Sequence, residues 1–167
     1  VVGVVTGILS VSLFMSGCGA AVEPEKRMYP MALGVDASEE GICLTYGMPD
    51  LSESTGQGKE EEDGGSRVLQ ISGADFTRIE KMYDQSQEKL LDMGHLQVLV
   101  MGRTLVEDGR WRMLLDYLKQ EIFVGEDLYV FEAEDAGEIL NWHGEDNSSA
   151  GEYITGLIRN RMSGGNI

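Results

Sequence analysis

The spacing of apolar residues changes period several times along this chain, and each change marks an element. Met31–Asp36 (MALGVD) and Ile42–Met48 (ICLTYGM) are apolar runs joined by Ala37-Ser38-Glu39-Glu40-Gly41. They predict an antiparallel hairpin in which Gly41 supplies the positive φ of a tight turn. Val68–Ser72 reads as a third strand. From Asp75 to Met93 the period becomes helical: Phe76, Ile79, Tyr83 and Leu90 share a face, with Arg78, Glu80 and Lys81 elsewhere. Gly94 stands where a helix C-terminus favours a residue that tolerates a left-handed conformation. His95 opens Leu96–Met101, a nearly continuous apolar run of the kind covered on both faces.

Thr104 and Glu107 have the spacing of a capping box and open a helical segment through Leu105 and Val106. Gly109 interrupts it before Trp111, Leu114, Leu115 and Leu118 form a second apolar stripe. Leu128–Ala133 reads as a fifth strand, and Asp135 with Glu138 caps a short helix containing Ile139 and Leu140. Asn141–Ala150 is a polar linker. Ser149 and Glu152 form another capping box ahead of Tyr153, Ile154, Leu157 and Ile158, which share one face. This order of elements predicts an α+β domain with one mixed β-sheet and helices packed against it. The alternation after Val68 calls for some parallel pairing through right-handed crossovers.

Charge narrows the choice of partners. With 29 acidic against 13 basic residues the formal charge is -16, all of it after the first apolar segment. Such a body repels nucleic acid and anionic head groups, so neither is expected as a direct partner. Pro49–Ser66, with Lys59-Glu60-Glu61-Glu62-Asp63 at its centre, reads as a solvated loop without regular ligand spacing. Cys43, within Ile42–Tyr46, has the setting of a buried strand thiol. If the other cysteine, Cys18, is modified, Cys43 alone with two distant histidines makes neither a disulfide framework nor a closed zinc site, and no cofactor or metal is expected.

Residues 1–17 are uncharged and apolar and end in Leu13-Phe14-Met15-Ser16-Gly17, directly before Cys18. This arrangement resembles the lipobox of a bacterial lipoprotein signal peptide, with Met15 where a branched aliphatic residue is more usual. Small residues let a peptidase reach an extended backbone, and the thiol of Cys18 is the group that alkylates. Cys18 is therefore the candidate lipidation site. A signal peptide needs a basic region before its apolar run, and none is present, so the chain is expected to begin inside a longer reading frame. The organisation read from the chain is a signal peptide over 1–17, a tether over 18–28 and an α+β domain over 29–140. Residues 141–167 then supply a linker and the first helix of a truncated following domain.

The order of these pieces resembles the amino-terminal part of the Ger(x)C family. They are a lipobox cysteine, a short tether, Met31–Asp36 with its "GVD", a variable acidic loop, an amphipathic helix, and the strand Gly94–Gly102 (GHLQVLVMG). A helix opening with Thr104-Leu105 follows, then Leu128–Ala133 leading into Asp135–Leu140. That family is the lipoprotein C subunit of nutrient germinant receptors in endospore-forming bacteria. The resemblance implies anchorage to the outer face of the spore inner membrane and work with two integral membrane subunits, A and B. It implies no enzymatic activity.

Two other classes compete with the receptor-subunit reading. A lipid-anchored hydrolase would use His95 or His143 as a base, but the chain carries no G-x-S-x-G, no H-E-x-x-H and no paired-carboxylate signature. His95 fits a structural residue at a strand start, and His143 a surface linker. An extracytoplasmic solute-binding lipoprotein would want two lobes around a cleft, for which this chain is short. Trp111 and Trp142 could stack on a ligand, although Trp111 lies on a helix stripe and is expected in the core.

Overall fold

The computed structural model describes residues 26–49, 68–120, 127–142 and 149–164. Cys18, the signal segment, most of the tether, the acidic loop and His143 lie outside the described residues.

The centre of the domain is a mixed sheet of five strands: β2 (Ala32–Ser38), β3 (Gly41–Gly47), β4 (Val68–Gly73), β6 (Val98–Gly102) and β7 (Tyr129–Ala133). They lie in the order β4-β3-β2-β6-β7. The hairpin β2–β3 is antiparallel in the register Val35↔Leu44, and β4 extends it antiparallel. β6 and β7 join in parallel, as the crossovers require. Gly41 closes the hairpin at φ +137°, a conformation that side chains rarely adopt. Its carbonyl accepts from the Arg110 guanidinium, which also grips Asp108 at 2.6 Å. The fold is thus α+β with a mixed sheet, as the periodicity predicts.

Alternation along the strands gives the sheet two covered faces. On one, Leu33, Val35, Leu44, Tyr46 and Leu99 are fully buried against α1 (Phe76–Ser86), α2 (Arg103–Glu107) and α3 (Trp111–Gln120). The helices contribute Phe76, Ile79 and Tyr83, then Leu105, then Leu114 and Leu118. Each such side chain stabilises the fold by about 1.5–3 kcal/mol. On the other face, Ala32, Val98 and Val100 meet Ala136 and Leu140 of α4 (Ala136–Leu140), with Ile154 of α5 (Ala150–Gly164) against them. These side chains are smaller, so the second layer lies close. Ser149 and Glu152 form the capping box that opens α5: the Glu152 amide donates to Ser149 Oγ at 3.3 Å, and the Ser149 amide to Glu152 Oε2 at 3.0 Å.

Two local expectations are corrected. The helix expected over 75–93 ends at Ser86, where the Gln87 amide closes on the Tyr83 carbonyl. Leu90–Leu91 forms β5 instead, parallel to β1 (Arg27–Met28), and Arg27 pairs with Asp92 at 2.5 Å. Leu90, placed on the apolar stripe by its spacing, is accordingly 51% exposed. Gly94 lies inside a 3₁₀ turn, Met93–His95, rather than after a helix. The second correction concerns Thr104. α2 starts at Arg103 straight from β6, with Gly102 as its cap and no side-chain capping bond.

Candidate functional site

Asp36 ends the apolar part of β2, and its side chain reaches a hundred residues along the chain. Oδ1 accepts from the Ala136 amide and Oδ2 from the Gly137 amide, both at 2.8 Å. Asp135 accepts from the Glu138 amide at 2.7 Å. The first three amides of α4 are thereby satisfied, in a helix too short to be stable alone. Gly102 makes the arrangement possible, because a β-carbon there would overlap Asp36 Oδ1 and lie 3.1 Å from its Cγ. Burial pushes the Asp36 carboxyl above its ordinary range, the two amides pull it back only in part, and the Asp135 charge adds to the rise. The "GVD" run is therefore the lower half of a lock that fixes α4 to the sheet.

Around this lock the second sheet layer leaves apolar surface open. α4 and α5 converge over β6 and β7 and leave a groove of about 350 Å³. Its walls are Phe131 and Ala133 of β7, Ile139 of α4, and Ile154, Leu157 and Ile158 of α5, with Val100 beneath. Phe131, Ile139 and Leu157 are each about 40% exposed (39%, 40% and 44%). Trp142, whose amide donates to the carbonyl of the groove-lining Ile139 at 3.2 Å, packs on Tyr153 with ring centroids 5.0 Å apart, and both residues are about half exposed. A smaller cleft of about 300 Å³ lies on the opposite face, between α1, Tyr117 and the β1–β5 pair.

The residues singled out for chemistry are dispersed. Cys43 is buried and free on β3, facing Asp36 across the hairpin. His95 is exposed and packs edge-on against Tyr29 at 4.8 Å. It lies near Asp92, whose carboxyl burial would raise. The Gly94 amide and the Arg27 guanidinium, helped by His95, outweigh that effect and leave Asp92 below its ordinary range. Trp111, expected in the core, is only half-buried, with the Arg112 guanidinium 4.7 Å over its ring. Among the described residues no group of three or more His, Cys, Asp or Glu could hold a metal ion. Sequence reasoning missed the lock and the groove; the one available signal was a carboxylate closing an apolar strand, in "GVD".

A mixed-sheet α+β domain, with one short helix locked across the sheet beside an open apolar groove, is what these residues build. The chain belongs to the family described as the spore germination protein N-terminal domain, which matches residues 20–167. Membership assigns it to spore germination and supports a general role as the C subunit of a germinant receptor, within a receptor complex. This is not a known enzyme family. Neither the curated proteins nor the solved structures give a match. Among the described residues no helix is long and apolar enough to cross a membrane.

Proposed function

We propose that this chain is the lipid-anchored C subunit of a nutrient germinant receptor, acting through contacts with the integral membrane A and B subunits. The observation that carries the reading is the family match over residues 20–167, which begins two residues after Cys18. In this reading Cys18 takes a diacylglyceryl group and the preceding segment is removed. The acyl chains then hold the acidic body at the outer face of the spore inner membrane. Attachment by lipid suits a body of charge -16, which anionic head groups repel. In this reading the amino-terminal domain is residues 29–140 together with α5, which packs on their sheet.

The test is metabolic labelling with a clickable palmitate analogue in a spore-forming host, comparing the native chain with Cys18→Ser. The native chain should take the label, stay with the membrane fraction and co-purify with the A and B subunits. Cys18→Ser should do none of these. An unlabelled native chain would remove the anchor, and a labelled chain that brings down neither subunit would remove the receptor assignment.

A further inference from the structure

We infer that the groove between α4, α5 and β7 is the docking site for an amphipathic helix of a partner protein, one that carries a carboxylate opposite Arg161. The first ground is area left uncovered. α5 turns Ala150, Gly151 and Thr155 fully into the domain, yet it is also apolar at Tyr153 and Leu157, which the domain leaves open. Ile154 and Ile158 form one ridge of a turn-spaced row, and Leu157 stands beside it. Such rows accept the ridges of a second helix.

The second ground is charge. Two charged side chains line the groove, Glu132 and Arg161. Glu132 lies 3.7 Å from Arg103, which also holds Glu134 at 2.5 Å. Arg161 makes no ion pair or hydrogen bond among the described residues. In a chain of charge -16 the groove therefore presents an unanswered positive charge beside apolar walls. A carboxylate-bearing apolar helix is attracted there and repelled elsewhere on the body. The same acidity disfavours a second copy and an anionic bilayer, and a concave groove suits a ridge of side chains better than a flat lipid surface.

The inference deepens the subunit reading and rests on it only in taking the partner to be a receptor subunit; the binding itself is tested without one. The full chain is reconstituted in phosphatidylcholine nanodiscs with Trp111→Phe, which leaves Trp142 as its one tryptophan. The probes are two Leu/Ala helical peptides that differ in one end residue, Glu or Lys. The Glu peptide should shift Trp142 emission to the blue and bind about fivefold more tightly than the Lys peptide, the scale of one exposed ion pair. Arg161→Gln should abolish that preference, and Leu157→Gln should weaken both peptides about tenfold. Equal binding of the two peptides, or binding that Leu157→Gln leaves unchanged, overturns the proposal. Quenching of Trp142 by brominated lipid would make the bilayer the occupant. Concentration-dependent dimers lost with Leu157→Gln would make it a second copy. Either result also overturns the proposal. Because no receptor subunit is present, a negative result leaves the labelling and co-purification outcome untouched, and the reverse holds.

Discussion

Gly102→Ala tests the Asp36 lock directly, with only the glycine cap of α2 disturbed beside it. Gly102 has φ -66° and ψ 143°, a conformation alanine adopts freely, so the backbone bears no penalty. The added methyl instead occupies the space of Asp36 Oδ1, and the carboxylate must swing away from the Ala136 and Gly137 amides. Two hydrogen bonds to a charged group are lost, each contributing about 1.5–3 kcal/mol, while the expelled carboxylate regains hydration. The net loss expected is about 3 kcal/mol. Asp36→Ala loses the same bonds without a clash, and about 2–3 kcal/mol is expected. The double variant separates the terms. With the carboxylate gone, the new methyl has no neighbour closer than Asp36 Cα at 3.4 Å, an ordinary contact. Replacing glycine at a compatible φ stabilises by about 0.4–1 kcal/mol through the unfolded chain, and losing glycine from the α2 cap offsets this. The double variant should therefore lie close to Asp36→Ala in stability, a coupling of about 3 kcal/mol. Urea unfolding followed by far-ultraviolet circular dichroism measures all four corners of the cycle. Additive losses, with the double variant down by the sum of the singles, would refute the steric argument.

Asp36 and Asp92 should move stability with pH in opposite directions. Folding raises the Asp36 pKa above 3.8, so its contribution relative to Asp36→Asn is complete below 3.8 and is lost as pH rises through the folded value. Folding lowers the Asp92 pKa, so its contribution relative to Asp92→Asn is present above 3.8 and is lost as pH falls through the folded value. Urea midpoints of the two variants against the native chain across the acid range give both slopes, and slopes of equal sign would contradict the assignment. Gly41→Ala should cost about 2–3 kcal/mol, since its methyl would lie 2.6 Å from the Ala74 carbonyl oxygen at an unfavourable φ; a midpoint within error of the native one would count against it. Ser149→Ala should cost about 1 kcal/mol and speed amide exchange in the first turn of α5, leaving β2 and β3 protected. Exchange that rises equally in the sheet would show that the box is not a local cap.

The sequence is legible where the forces are local. The hairpin, the turn at Gly41, the caps at Asp135 and Ser149 and the apolar strand ending at Gly102 all follow from side chains acting on neighbours a few residues away. The failures have a common physical cause. Leu90 continues the helical period of Phe76, Ile79 and Tyr83, and nothing nearby says that Arg27–Met28 will claim it as a strand partner. Thr104 and Glu107 have the right spacing for a box, but Gly102 is already committed to clearing room for Asp36, and the helix begins from that point. The lock itself joins positions 36 and 136, a separation over which periodicity carries no information. Its parts were visible as "GVD" and as the cap at Asp135, but not their meeting.

The lock and the groove share one element, and this gives "GVD" a consequence beyond stability. α4 has five residues, buries Ala136, Gly137 and Leu140, and turns Ile139 outward as a wall of the groove. A helix of that length does not hold its shape in water without outside help. Asp36 and Asp135 supply that help from opposite directions, one from the sheet and one from the helix's own cap. The position of Ile139 relative to Leu157 and Phe131 is therefore set by a carboxylate on β2, on the far side of α4 from any partner. Loosening the lock should blur the groove without touching its lining. Asp36→Ala would then weaken the Glu-ended and Lys-ended peptides by one common factor, whereas Arg161→Gln removes the difference between them.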